Sequence, residues 1–162
     1  MMRVGVITTS DKGYRGERDD ASGDVIREMV VGLGAEVSFS TVVPDEQAEI
    51  KKVLIQGVDE MELDLIITTG GTGVSPRDVT PDATREVIER EIPGFGEAMR
   101  MAGLKKTPHA MISRAVCGVR GNTLIVNLPG SPKAVREGLE VILPAIPHTI
   151  AKIQGDPEEC GE

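Results

Sequence analysis

The chain has 162 residues, 40% of them hydrophobic but only 2% aromatic, and carries a net charge of -8. That length suits one domain built on a single aliphatic core. With Tyr14, Phe39 and Phe95 as the only aromatics there is no stacking platform for single-stranded nucleic acid, and the acidic balance argues against a nucleic-acid backbone as partner.

Taken in chain order, Val4 to Thr8 is a short β-branched run and reads as a buried strand. Residues 10–23 are polar and rich in Gly, Asp and Arg, a long loop of the kind that often carries function. Ser22 is expected to cap the following helix, which sets Val25, Ile26, Met29, Val30 and Leu33 on one face and ends at Gly34. Ala35 to Val43 is a second strand, stopped by Pro44. Asp45 comes next, then a helix facing inward with Ile50, Val53, Leu54, Val58 and Met61. Leu63 to Thr69 is the third strand.

After a glycine loop, Thr80 is expected to cap a helix with Pro81 at its first position. Pro93-Gly94 breaks that helix, and a further one runs over about 95–105. Ser113 to Val119 and Thr123 to Leu128 are close enough to form an antiparallel hairpin. A last helix carries Val135, Leu139 and Ile142 and is interrupted at Pro144 and Pro147. The domain is expected over 1–153, with 154–162 as a polar tail. Cys117 and Cys160 stand far apart in unlike contexts, which fits a reduced compartment. The opening MMRVGVITTS carries no signal-peptide pattern and no apolar run is of spanning length, so a cytoplasmic protein without a membrane partner is expected.

This alternation predicts an α/β fold: a doubly wound, mostly parallel sheet with helices on both faces and one antiparallel hairpin. Ligands of such folds bind outside the carboxyl ends of the strands. Four irregular segments fall there: 10–23, Pro44-Asp45, Gly70 to Asp78, and Pro129 to Pro132.

The segment TTGGTGVSPRDVTPDAT, Thr68 to Thr84, is the most informative. Gly70-Gly71-Thr72-Gly73 lets backbone amides turn toward an anion with no side chain in the way. It is not a Walker A loop, because no Gly-Lys-Ser/Thr ends it, and Pro76 stands where a dinucleotide fingerprint needs its third glycine. Asp78 just beyond the loop would repel an anion unless a cation stood between them. Mg²⁺ takes one or two carboxylates plus substrate phosphates, and Asp45 at another strand end could supply the second. The structural alternatives are a helix cap for Asp45, and an Asx turn or a pair with Arg77 for Asp78. Asp82 is explained by the helix dipole, Asp11, Asp19 and Asp20 as solvated loop charges. His109 and His148 have no ligand-spaced neighbour, and no nucleophile elbow is visible.

TTGGTG followed by RDVTPDAT, with VVPDE upstream and NLPGSPKAV downstream, resembles the molybdopterin adenylyltransferases of the MogA/MoaB family of molybdenum cofactor biosynthesis. ITTSDKGYRGERDDASGDVI and TPHAMISRAVCGVRGNTLIVNLPG match the same pattern, and the likeness covers Arg3 to Ala151. It implies a molybdopterin-binding-like α/β domain and a Mg²⁺-dependent transfer of AMP from ATP to the terminal phosphate of molybdopterin, releasing pyrophosphate. It also implies a homotrimer, in some members a hexamer, and a molybdate-insertion protein downstream. By motif, Asp45 and Asp78 match the catalytic, metal-holding acids, and Gly70, Gly71, Thr72 and Gly73 the phosphate-facing loop. Ser10, Asp11, Pro129, Gly130 and Ser131 match segments lining the nucleotide and pterin site, and Lys12, Arg15, Arg18, Arg77 and Lys133 are candidates for local positive potential. A non-catalytic molybdopterin carrier and a pyrophosphate-hydrolysing domain of competence-damage type share parts of the pattern. Both aspartates weigh against the first, and the pairing of RDVTPDAT with NLPGSPK against the second.

Overall fold

The computed structural model describes residues 1–160. One six-stranded sheet runs in the order β2-β1-β3-β6-β5-β4, with β1 Met2–Thr9, β2 Ala35–Val43, β3 Leu65–Thr69, β4 Arg90–Glu91, β5 Cys117–Arg120 and β6 Thr123–Leu128. β2, β1, β3 and β6 are mutually parallel, and β5 and β4 add antiparallel at one edge.

Every residue of β3 and β6 is buried, as parallel strands covered on both faces must be. Alternate side chains feed opposite layers. Val4, Val6, Leu65, Ile67, Leu124 and Val126 face one layer, beneath α2 (Ala21–Val31), α6 (Pro132–Ile142) and α7 (Ile146–Ile153). Ile7, Ile66 and Ile125 face the other, beneath α3 (Gln47–Ile55) and α4 (Thr80–Val87). The expected helical stripes are therefore real: Ile26 and Val30, Ile50 and Leu54, and Val135 and Leu139 are all buried against the sheet. Two more helices complete the fold: α1 (Asp11–Tyr14) and α5 (Pro93–Leu104), with a 3₁₀ turn at Pro108–Ile112.

Three boundaries differ from expectation. Leu63 lies ahead of β3: its N–H donates to the Gly57 carbonyl at 3.1 Å, just after the π turn over Gln56–Glu60 that the Met61 N–H closes on the Gln56 carbonyl at 3.0 Å. β5 begins at Cys117 rather than Ser113, because the Asn127 side chain accepts from the Val116 N–H at 3.1 Å and interrupts the ladder. β4 was not expected at all. It is two charged, exposed residues whose ladder partner is β5, and an apolar alternation is not what makes it. Short charged strands of this kind close a sheet edge against further pairing.

α7 ends at Ile153, and Gln154 donates to the Asp64 carboxylate at 2.7 Å. Both cysteines are free, Cys117 buried and Cys160 exposed. No helix among the described residues is long and apolar enough to cross a membrane.

Candidate active site

Because β1, β2, β3 and β6 run parallel, the loops that follow them leave one edge of the sheet. They meet around a cleft of about 570 Å³. Of the predicted site residues, Ser10, Asp45, Gly70, Gly71, Asp78, Gly130 and Ser131 line it, as does Arg18. Asp11, Thr72, Gly73 and Pro129 stand outside that lining.

The first loop is more ordered than a polar run suggests. Ser10 caps α1, its Oγ accepting from the Gly13 N–H at 2.9 Å. Ser22 does not cap α2. Asp20 stands two residues earlier, and its Oδ1 accepts from the Gly23 N–H at 3.1 Å and the Thr8 hydroxyl at 2.7 Å. Ser22 instead donates from inside the helix to the Gly130 carbonyl at 2.5 Å, tying the first loop to the fourth. Asp20 is thus a structural cap rather than a solvated charge.

Asp45 is not a helix cap either: Glu46 holds that position in α3, without a side-chain bond. Asp45 and Asp11 exchange bonds instead. The Asp11 N–H donates to Asp45 Oδ2 at 2.9 Å, and the Asp45 N–H to Asp11 Oδ1 at 3.0 Å. Arg77 completes the set, its guanidinium donating to both Asp11 oxygens at 2.9 and 3.0 Å. The Arg77 guanidinium holds the Asp11 carboxyl below its ordinary range. Burial pushes the Asp45 carboxyl upward, and the charges of Asp11 and Asp78 add to that push.

Between these acids lies the glycine loop. Gly70 and Gly71 have φ of +98° and +65°, values that L side chains rarely adopt. A Cβ on Gly71 would come within 2.5 Å of Thr80 Oγ1 and 3.3 Å of Asp45 Oδ1. A Cβ on Gly73 would meet Asp78 Oδ2 at 2.9 Å. Both carboxylates therefore press against the one loop whose backbone is bare. Asp78 makes neither expected contact: its carboxylate accepts from the Ser75 N–H three residues earlier, at 3.0 Å, rather than closing an Asx turn, and Arg77 pairs with Asp11. Ser131 caps α6 through the Ala134 N–H at 3.2 Å, with Pro132 in its first turn.

A family model described as a probable molybdopterin binding domain matches residues 5–148. The chain belongs to the MogA/MoaB family of molybdenum cofactor biosynthesis enzymes. It is 43% identical to the molybdopterin adenylyltransferase of Helicobacter pylori, over 99% of this chain and 93% of that one. To the Escherichia coli K12 molybdopterin adenylyltransferase it is 45% identical, over 86% of this chain and 72% of that one. The crystal structure of the molybdopterin biosynthesis enzyme MoaB from Thermus thermophilus matches with a TM-score of 0.91 at 55% identity, over 98% of this chain and 100% of that one.

Within this MogA/MoaB site, the sequence reading missed the threonines beneath the glycine loop. Thr80 does not cap α4; Val79 holds that position. Thr80 is wholly buried, its hydroxyl 2.9 Å from that of Thr9, and its carbonyl accepts from the Thr84 hydroxyl at 2.8 Å. Asn127 donates to Thr68 and Thr84 hydroxyls, each at 3.0 Å. Buried polar groups of this kind are costly unless satisfied, and when satisfied they rigidify what they touch. The available signal was the recurrence of Thr at the strand ends TTS and TTGG and in VTPDAT.

Of the expected cations, Arg18 lines the cleft, Arg15 pairs with Glu17 at 3.1 Å, and Arg77 is committed to Asp11. Among the described residues no three His, Cys, Asp or Glu side chains gather as a metal cage. The Gly70 N–H is spent on the Leu128 carbonyl at 3.1 Å, and two carboxylates beside the rest of the glycine loop suit a hard cation that takes its other ligands from a phosphate-bearing substrate.

Proposed function

We propose that the chain transfers the adenylyl group of ATP to the terminal phosphate of molybdopterin, releasing pyrophosphate, as a step of molybdenum cofactor biosynthesis. The observation that carries this reading is the placement of two carboxylates against one glycine loop, Asp45 beside Gly71 and Asp78 beside Gly73, with both acids lining one cleft. The names of the Helicobacter pylori and Escherichia coli relatives support it.

The reaction brings two anions together, so positioning and charge neutralisation set its rate. The glycine-loop amides from Gly71 onward receive phosphate oxygens, the Gly70 N–H being bonded to the Leu128 carbonyl, and Arg18 adds positive potential at the cleft. Asp45 and Asp78 would hold Mg²⁺. Burial already disfavours the charged form of Asp45, and a neighbouring cation restores it. Bound there, Mg²⁺ supplies charge neutralisation to the leaving pyrophosphate. A terminal phosphate oxygen of molybdopterin attacks the α-phosphorus of ATP, and the bond to the β-phosphate breaks. The attacking phosphate is ionised near neutral pH, so no side chain need take a proton. With 2% aromatics, hydrogen bonds and aliphatic walls hold the pterin rather than stacked rings. The same reading makes the protein a cytoplasmic homotrimer, or a dimer of trimers, that passes product to a molybdate-insertion protein.

The test is turnover with Mg²⁺-ATP and fresh molybdopterin, followed chromatographically for adenylyl-molybdopterin and pyrophosphate. Product is expected only with all three components present. Asp45→Asn and Asp78→Asn are each expected to lower it by about 10²- to 10³-fold while the fold is kept. Molybdopterin bound without turnover would make the protein a carrier, and ATP hydrolysis without molybdopterin a pyrophosphatase.

A further inference from the structure

We propose that Arg114 is a positioning residue that holds the glycine loop and, through it, the Asp78 carboxylate; the inference rests on the metal-holding role of Asp78 proposed above. Arg114 lies between the 3₁₀ turn and β5, outside the cleft. Its backbone N–H donates to the Thr72 carbonyl at 2.8 Å. Its Nε donates to the Gly73 carbonyl at 2.8 Å, and its Nη2 to the Asp78 carbonyl at 2.6 Å. The same guanidinium reaches the Asp82 carboxylate in the first turn of α4, at 3.1 and 3.2 Å.

One side chain therefore grips both ends of the excursion from Gly73 to Asp78 and fastens them to a helix. Residues 74–77 are exposed and add no buried packing; the Ser75–Asp78 turn and the exposed Arg77–Asp11 pair hold the middle of the excursion, and Arg114 holds its two ends. Asp78 is carried on the backbone whose carbonyl Arg114 holds. The task needs several donors fixed in one plane, which arginine has and lysine lacks. Letting that backbone drift by about 1 Å would misplace the carboxylate enough to cost about 10²-fold in rate.

Arg114→Ala and Arg114→Lys test this by two readouts. Amide hydrogen exchange over residues 72–79 in the free protein reads the loop. The Mg²⁺ concentration for half-maximal adenylyl transfer, with kcat, reads Asp78. In Arg114→Ala, exchange over 72–79 is expected to quicken by roughly tenfold or more while β1, β3 and β6 keep their protection. Half-saturating Mg²⁺ is expected to rise about tenfold, kcat to fall by about 10²-fold, and the KM for molybdopterin to move least. Added guanidinium ion should restore part of the loss in Arg114→Ala, and lysine should not replace arginine. Should the alanine variant fail to fold, the lysine variant takes its place in both readouts. Wild-type exchange over 72–79 overturns the proposal. So does faster exchange with unchanged Mg²⁺ half-saturation and kcat, when Asp78→Asn is inactive. An active Asp78→Asn overturns the metal-holding role itself, and exchange alone then decides whether Arg114 orders the loop.

Discussion

Asp45 pays a cost for its place. Its pKa is raised by burial first, with the Asp11 N–H opposing and the Asp11 and Asp78 charges adding to the rise. Folding then favours the neutral carboxyl, so the ionised group works against stability at neutral pH, and that penalty fades as pH falls through the raised value. Asparagine at this position keeps an acceptor for the Asp11 N–H and removes the charge. The melting temperature of Asp45→Asn is therefore expected to equal or exceed that of the native protein, by up to about 3 °C, although turnover is lost. Adding Mg²⁺ should raise the melting temperature of the native protein and leave Asp45→Asn unmoved. A lower melting temperature in the variant would show that the carboxylate serves the fold instead. This residue was legible in the sequence by its position after a strand. Its partners were not: Asp11 lies 34 positions away, and Arg77, which holds Asp11, lies 66 positions from it.

Among the elements, the central strands were the easiest to read. β1, β3 and β6 are short apolar runs because helices cover both their faces. β4 was illegible because its pairing comes from β5 and its residues are charged. The helix starts failed for a related reason. Ser22 and Thr80 are good capping residues by type, yet Asp20 outcompetes the first, and the second is drawn into a buried threonine network. The contact between the glycine loop and α4 sets its own pH dependence. Arg114 holds the Asp82 carboxyl below its ordinary range. A depressed acid contributes stability that is present above its unfolded pKa and is lost as pH falls through the folded one. The difference in melting temperature between the native protein and Asp82→Asn is thus expected to stay constant from about pH 8 to about pH 5 and to shrink below about pH 4. A difference that grew on acidification would show that Asp82 has another partner.

For the whole molecule, the apolar surface is unevenly spread. Met101 and Leu104 of α5, Met111 and Ile112 of the adjoining 3₁₀ turn, and Val141 of α6 are all exposed. They lie on the elements that wall a second cleft, of about 410 Å³. Large apolar side chains gathered on one side of a protein with net charge -8 fit a face that another copy of the chain covers. Sedimentation at micromolar concentration is expected to give a trimer, and Met101→Glu to shift it toward monomer. A native protein that sediments only as a monomer would sink the assembly.

The sequence by itself determined the fold class, helices on both faces of a mostly parallel sheet, and which four irregular segments follow its strands. It could do so because strand and helix periodicities are local, and strands that run parallel all end at the same edge, so every loop that follows one lies there. Only the tertiary structure decided which groups meet there. The bonds from Arg77 to Asp11, Ser22 to Gly130, Thr9 to Thr80 and Arg114 to Asp78 join residues from segments far apart in the chain. No local pattern encodes such pairs, because each depends on how far two helices and the sheet between them bring distant backbone segments together.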